Sequence, residues 1–295
     1  MPWILFALLA PLTWAATNIV DKYILSKLTR DPWVPAVIFG LAGAVAGTLI
    51  FFFKGFPPVS PAFLAAAFLT GAIYCAAEIF YLKAVNLEEI SRVISIIYID
   101  PLFTAILAAG FLGEIFSPIK YVGVFLLVSG AIIISLKFGQ GFTLKKATWL
   151  ALLSALLFSV SNLFNKLLLE HNDFWTVFAY VRVANFIVLL PIIFYKRKML
   201  WGYAAGQTRN FLLIFFNSSL TLLGTFLFVV ALSLGFATFT AAFSALQPFF
   251  VLMMTLGVGV FYPSILKEEG GRAVFLQKLL AVGLMFAGVI LISPK

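Results

Sequence analysis

The chain has 295 residues, of which 63% are hydrophobic and 11% are charged, and its formal net charge is +9. Soluble domains contain roughly 25% charged residues, so this composition excludes a soluble protein and indicates one that lies in a lipid bilayer. The basic residues fall in short segments between apolar runs, where Lys and Arg set membrane topology, so the positive charge does not indicate a nucleic-acid partner.

Apolar runs bounded by Gly, Pro or charged residues predict ten membrane-spanning helices. No segment between them is large enough to form a separate soluble domain. The predicted fold class is therefore an all-α integral membrane protein. The predicted spans are 3–25, 33–53, 61–84, 91–112, 118–136, 147–169, 174–195, 210–232, 236–261 and 273–292.

A polar motif occurs once in each half of the chain. The two copies read WAATNIVDKYIL over 14–25 and FSVSNLFNKLLL over 158–169, which aligns Lys22 with Lys166 at an offset of 144. A second match places IYIDPLF, around Asp100, opposite ALQPFF, around Gln247, at an offset of 147. This self-similarity predicts a duplicated unit of five spans.

The predicted units cover residues 1–142 and 143–295. Because five is an odd number, the second unit enters the membrane in the opposite sense from the first, which predicts an inverted repeat. The loops after odd-numbered spans hold most of the loop Lys and Arg residues, whereas the other side holds only Lys54, Lys120 and Lys295. This asymmetry predicts a cell (plasma or inner) membrane protein with odd loops in the cytoplasm and both termini outside.

Enzyme and cofactor signatures are missing from the sequence. One cysteine, Cys75, and one histidine, His171, exclude a disulfide framework and a Cys/His metal site. No phosphate-binding G-x-x-x-x-G-K-[ST] motif is present, and a hydrolytic triad would depend on His171 in a predicted loop. We expect no catalysis, no cofactor and no bound metal.

Ionisable residues inside the spans are the functional candidates, because each costs a few kcal/mol or more in the hydrocarbon. Lys22, Lys83 and Lys166 lie near span ends, where anchoring at the interface or local pairing explains them. The others are deeper in their spans. They are Asp21, Glu78, Asp100 and Arg182.

Two interpretations of the deep charges stay open. Glu78 and Asp100 could bind a proton, a cation or an amine. Pro101 disturbs the helical turn that precedes it, and this would free a backbone carbonyl beside Asp100. Arg182 could hold a substrate carboxylate. Alternatively, Arg182 pairs permanently with Glu78 or Asp100 in a structural network.

The polar residues of the first span offer the same choice. Trp14, Asn18 and Asp21 recur at helical spacing and form a polar stripe, which could line a solute cavity or hold helices together. Glycines at helical spacing predict close helix packing. They are Gly40, Gly43 and Gly47 in the second span, Gly123 and Gly130 in the fifth, and Gly283 and Gly288 in the tenth.

The run over 84–114 reads AVNLEEISRVISIIYIDPLFTAILAAGFLGE and resembles the third-to-fourth helix signature of the EamA family, within the drug/metabolite transporter superfamily. The resemblance implies an alternating-access carrier, commonly an exporter of amino acids or other small metabolites, with a central cavity between the halves. Glu114 matches the acidic end of the fourth helix, a position expected to cap or pair. In the second half, Phe261 or Tyr262 stands where the family pattern has an acidic residue. The equivalent capping or pairing contact is therefore expected to be lost or to be made by Glu268.

The resemblance and the deep charges together define the expected site. Its candidate substrate-binding residues are Trp14, Asn18, Tyr74, Glu78, Tyr98, Asp100, Asn162, Arg182, Asn217, Thr221 and Gln247. The leading hypothesis is a secondary transporter that exports a small amphipathic solute, with a coupling proton or ion and the bilayer as its other partners. The alternatives are a structural or accessory membrane protein, and a flippase for a lipid or a lipid-linked sugar.

Overall fold

The computed structural model describes residues 2–29, 31–88, 90–135, 145–202, 206–261 and 272–292. The regular structure in these ranges is helical, without a β-strand. A π-helical turn, Ile24–Leu28, follows the first helix. The helices are α1 Pro2–Tyr23, α2 Trp33–Lys54, α3 Pro61–Leu87, α4 Ile90–Ile97, α5 Asp100–Phe111, α6 Pro118–Ser135, α7 Lys146–His171, α8 Phe174–Trp201, α9 Thr208–Leu234, α10 Ala237–Ser244, α11 Gln247–Phe261 and α12 Arg272–Ile292.

Length and composition suit these helices to a membrane. Among the described residues, seven helical segments are long and apolar enough to cross a bilayer, and three shorter apolar helices bring the number to ten. They follow the order of the predicted spans. The prediction of an all-α, multi-pass membrane protein is therefore confirmed.

The fourth predicted span is interrupted. The sequence predicted one helix over 91–112, whereas the structure has two, which are separated at Tyr98 and Ile99. Pro101 lies in the first turn of α5, where a missing N–H is tolerated, but it cannot donate to the turn before it. At the end of α4 the chain forms a 3₁₀-type hydrogen bond, in which Ile99 N donates to Ile96 O at 3.1 Å.

The ninth predicted span, 236–261, has the same interruption. The break falls at Ala245 and Leu246, and Pro248 follows in the first turn of α11. Leu246 N donates to Phe243 O at 3.1 Å, as in the first break. The two breaks lie at the offset of 147 that also relates the sequence motifs.

The seventh predicted span is longer than expected. It was predicted to end at 195, with the basic cluster 196–198 in a loop, whereas α8 continues to Trp201. Lys and Arg are good helix formers, and Lys196 forms an ion pair with Asp31, so the helix extends through the basic cluster.

Helices of the first half pack mainly against helices of the second half. α1 and α9 run antiparallel, since Trp3 lies against Gly235 and Trp14 Nε1 donates to Thr221 O at 3.2 Å. α3 and α7 form a similar pair, in which Ser154 Oγ donates to Ala77 O at 2.8 Å. α2 packs on α8, and α6 packs on α12.

Glycines allow several of these contacts, as the sequence predicted. A Cβ at Gly47 would lie 2.9 Å from Ala179 O, and one at Gly130 would lie 2.6 Å from Ala281 O. The same prediction is wrong for Gly283, because a Cβ there would meet no atom within 4 Å. Gly283 lies on a face of α12 that is not packed against a neighbouring helix.

The start of α8 depends on an N-cap. Asp173 accepts hydrogen bonds from Trp175 N at 3.0 Å and Thr176 N at 3.2 Å, and Thr176 Oγ1 also donates to it. Partial burial raises the pKa of Asp173, but these hydrogen bonds lower it by more, so the pKa lies below its usual range. The cap therefore contributes at pH above about 4, and its contribution is lost as the pH falls through the lowered pKa.

We expect Asp173→Ala to lower the free energy of unfolding by about 1 kcal/mol at neutral pH, because two N–H groups lose their acceptor. Denaturant titration of the purified protein in detergent measures the change. Asp173→Ser is the matched control, since serine also caps helices and should retain most of the stability. A full loss with serine would contradict the cap.

Candidate functional site

A cavity of about 130 Å³ lies at the centre of the helix bundle. One ordered water needs roughly 15 Å³ by this measure, so the cavity has room for several waters or a small solute. Its wall combines side chains of both halves, from α1, α3, α7, α8 and α9 and from the two broken helices. Ten of the eleven predicted site residues line it. They are Trp14, Asn18, Tyr74, Glu78, Tyr98, Asp100, Asn162, Arg182, Thr221 and Gln247.

Asn217 is the predicted residue that does not line the cavity. Its Nδ2 donates to Asp21 Oδ1 at 2.7 Å, so Asn217 positions a residue that does line the cavity. Tyr81 Oη lies 3.4 Å from Asp21 Oδ2 and 3.3 Å from Asn18 Oδ1. Asp21 is thereby tied to α3 and to α9, which explains why a carboxylate is tolerated at this depth.

Asp100 is held in a polar socket between α5 and α7. Ser159 Oγ lies 2.5 Å from Asp100 Oδ1 and 3.0 Å from its backbone oxygen, and Thr104 Oγ1 lies 3.4 Å from Oδ1. The carboxylate also stands in the first turn of α5, where the helix dipole favours negative charge. Asp100 therefore stabilises the junction of α5 with α7 as well as lining the cavity.

Glu78 differs from the other two carboxylates. It is half-buried and lines the cavity, but no described residue donates a hydrogen bond to it. A carboxylate at this depth needs donors or a cation. Because Glu78 lines the cavity, its carboxylate can interact with a solute that occupies the cavity.

Arg182 is 1% exposed and sits against aromatic rings. Its Cζ lies 4.5 Å from the ring centroid of Tyr74 and 5.6 Å from that of Phe178, which favours the cation. No carboxylate of the described residues lies within the 4.0 Å of an ion pair. The permanent pair of Arg182 with Glu78 or Asp100, one of the two interpretations of the sequence, is therefore absent.

Several buried donors on the cavity wall have no partner. Arg182 Nε and Nη1, Asn18 Nδ2 and Tyr98 Oη are buried and make no hydrogen bond with the described part of the chain. Buried polar groups without partners are rare because each costs about 1–3 kcal/mol. Arg182 and Asn18 therefore hold unpaired donors within the cavity wall, and Glu78 holds an unpaired acceptor.

The rest of the wall lies outside the eleven predicted site residues, although the polar stripe that could line a cavity already included Asp21. Apolar wall residues such as Ile97 and Phe158 could not be recognised from the sequence, because every span of the chain is apolar. Thr225 did have a signal, because it is the repeat counterpart of Glu78. It lies 3.4 Å from Tyr74 Oη, so polar residues of the two halves meet across the cavity. The further lining residues are Thr17, Asp21, Tyr81, Ile94, Asn165, Phe228, Val229 and Ser244.

Glu114 lies away from the cavity and caps a helix, as predicted. Its Oε1 accepts from Ala237 N at 2.7 Å, and its Oε2 accepts from Thr238 N at 2.9 Å and Thr238 Oγ1 at 2.8 Å. The segment that follows α5 is thus bonded to the start of α10. The side chain of Phe261 and the proposed substitute Glu268 lie outside the described residues.

The wall carries charged and aromatic groups that can bind a solute. The described residues contain no cluster of three or more His, Cys, Asp or Glu side chains that could hold a metal ion. A positive group, a free carboxylate and aromatic faces are arranged around an open space.

Comparisons with known proteins agree with this architecture. The model of the EamA-like transporter family matches residues 1–136. A solved crystal structure superposes on the chain with a TM-score of 0.70 at 14% sequence identity, covering 98% of this chain and 97% of the other, which shows a shared fold. No curated protein matches the sequence.

Proposed function

We propose that this membrane protein is a secondary active transporter that exports small amphipathic metabolites, such as amino acids, by alternating access. The match of residues 1–136 to the model of the EamA-like transporter family supports this proposal. The observation that carries the proposal is the central cavity. Arg182 and Glu78, which are both without an ion-pair partner, line it together, and a solute with both charges could satisfy both residues.

The wall supports a particular mode of binding. A solute carboxylate would accept from the guanidinium of Arg182, whose planar donors match carboxylate geometry. A solute ammonium group would lie against Glu78. The aromatic faces of Trp14 and Phe158 would cover an apolar part of the solute. Coupling to a proton or another ion is part of the proposal, with Glu78, Asp21 and Asp100 as its candidate carboxylates.

The arrangement of helices supports an inverted repeat. α1 is antiparallel to α9, and the two helix breaks coincide with the repeat offset, as expected if residues 1–142 and 143–295 are related units. Discontinuous helices near the middle of the membrane are a common feature of transporter binding sites. The loop charges support cytoplasmic odd loops in a cell membrane.

We expect purified protein in liposomes to move at least one member of an amino-acid panel down its gradient, and Glu78→Gln to lower that transport at least about tenfold, because the solute ammonium loses its counter-charge. The same solute should raise the melting temperature of the unmutated protein by mass action. Uptake of labelled solutes and thermal melting are the two measurements.

Two control variants make the result specific. Glu170→Gln removes an exposed carboxylate outside the cavity and should leave transport unchanged. Asp100→Asn should lower stability by about 1–3 kcal/mol, since Ser159 and Thr104 lose a charged acceptor. The proposal fails if no panel solute is transported or bound while both Glu78→Gln and Asp100→Asn are destabilised. That result would favour the structural or accessory role.

A further inference from the structure

Two lysines in equivalent positions of the repeat make equivalent bonds. Lys22 Nζ, on α1, donates to Val85 O at 2.9 Å and Glu88 O at 3.0 Å, at the end of α3. The last carbonyls of a helix have no partner within it and carry partial negative charge, which suits an ammonium group.

The second lysine repeats this contact in the other half. Lys166 Nζ, on α7, donates to Leu232 O at 3.0 Å and Gly235 O at 2.7 Å, at the end of α9. The accepting carbonyls of the two contacts are related by the repeat offset of 147, residue for residue. The sequence suggested interfacial anchoring or local pairing for these lysines.

The two contacts lie at opposite ends of the cavity. Lys22 follows Asp21, and Asp21 bonds to Asn217 near the start of α9. Leu232 and Gly235 are near the end of α9, and Gly235 packs on Trp3 at the start of α1. The cavity residues of α1 and α9 lie between these points, so one lysine stands beyond each end of the cavity.

Each contact also joins two helix pairs that flank the cavity. α1 with α9 forms one pair and α3 with α7 forms the other, and each pair has its own internal contacts. The Lys22 contact connects the pairs at one end, where Tyr81 adds bonds of 3.3 and 3.4 Å, and the Lys166 contact connects them at the other end. Separation of the pairs at either end requires the lysine there to release its carbonyls.

We propose that Lys22 and Lys166 are the two gates of the cavity: release of Lys22 opens it at the end where α1 and α3 terminate, and release of Lys166 opens it at the end where α7 and α9 terminate. This inference rests on the proposed transport function and adds the residues that would control access. Both lysine contacts are formed in the structure. A long lysine side chain near a helix end can exchange carbonyls for water, so release is reversible.

A lysine cap elsewhere in the protein provides a matched control. Lys120 Nζ, on α6, donates to Ile292 O at 3.0 Å at the end of α12. This contact has the same chemistry, but the α6 and α12 pair does not line the cavity. If lysine caps merely stabilise helix ends, loss of any of the three will have the same kind of effect. If two of them are gates, only Lys22 and Lys166 will change access to the cavity.

The experiment measures access directly. In a Cys75→Ala background, Ser244→Cys places a single thiol on the cavity wall with little change in volume. A membrane-impermeant maleimide is applied from one side or the other of liposomes that hold the protein in a single orientation. We expect Lys22→Met to raise the labelling rate at least about tenfold from one side only, and Lys166→Met to do so from the opposite side only, as the loss of charged hydrogen bonds predicts.

The remaining variants keep the test decisive. Lys120→Met should leave the labelling rate unchanged from both sides. Lys22→Arg and Lys166→Arg can still donate to the backbone carbonyls, so these variants should label as slowly as the parent. The gate proposal is overturned if Lys22→Met and Lys166→Met label like the parent, or if either opens both sides equally. Should a methionine variant fail to fold, the corresponding glutamine variant is used instead.

Labelling does not require a transported solute, so the two proposals can fail separately. Side-specific opening without transport of any panel solute would refute the transport function and leave the gates. Transport by a protein whose labelling is unaffected by either lysine variant would refute the gates and leave the transport function.

Discussion

Replacement of Glu114 by alanine is expected to lower the free energy of unfolding by about 3 kcal/mol, one of the two largest effects that we predict. The carboxylate is 6% exposed and accepts three hydrogen bonds from Ala237 and Thr238. Its removal leaves two N–H groups at the start of α10 without an acceptor in a region that water reaches poorly. The start of a helix also loses a favourable negative charge.

Denaturant titration in detergent measures this loss. Glu114→Gln keeps one carbonyl oxygen as an acceptor, so we expect it to lose roughly half as much stability. Glu170→Ala removes an exposed carboxylate and is the control, with an expected change within about 0.5 kcal/mol. If Glu114→Ala were as stable as Glu170→Ala, the cap would not contribute to the fold.

Replacement of Gly288 by alanine is expected to destabilise the contact of α6 with α12 by about 2 kcal/mol. The new Cβ would lie 2.6 Å from Gly123 O and 2.8 Å from Leu127 N. Both are backbone atoms, so no side chain can rotate away and the two helices must separate. The cost of overpacking exceeds the gain in helix propensity that alanine brings.

Gly283→Ala is the matched control on the same helix. A Cβ at Gly283 meets open space, so the variant should be as stable as the parent or more stable by up to about 1 kcal/mol. Thermal melting of the two variants in parallel checks the prediction. Equal melting temperatures for Gly288→Ala and Gly283→Ala would show that the α6 and α12 contact can widen at no cost.

Most of the helices and of the polar site residues could be predicted from the sequence, for one physical reason. In a bilayer every apolar run must become a helix, and every deep polar residue needs a partner, so both stand out from composition alone. Asn18, Glu78 and Arg182 were identified in this way, and they do line one cavity. The prediction that Glu114 caps a helix or forms a pair followed from the family resemblance.

Other features required knowledge of which helices touch. The apolar wall at Ile97 and Phe158 has no sequence signal, because lipid and a cavity wall select the same residue types. Pro101 indicated a disturbed turn, but only the structure shows that Asp100, beside the break, is bonded to Ser159 of α7.

The sequence by itself determined that the protein is an all-helical membrane protein, and its polar residues marked most of the central cavity, because hydrocarbon penalises every unpaired polar group. Only the tertiary structure decided how those groups are used. It placed Asp21 and Asp100 in hydrogen-bonded sockets, left Glu78 and Arg182 without ion-pair partners, and brought Lys22 and Lys166 to the helix ends beyond the cavity. Those differences arise from the packing of distant helices, which spacing along the chain does not encode.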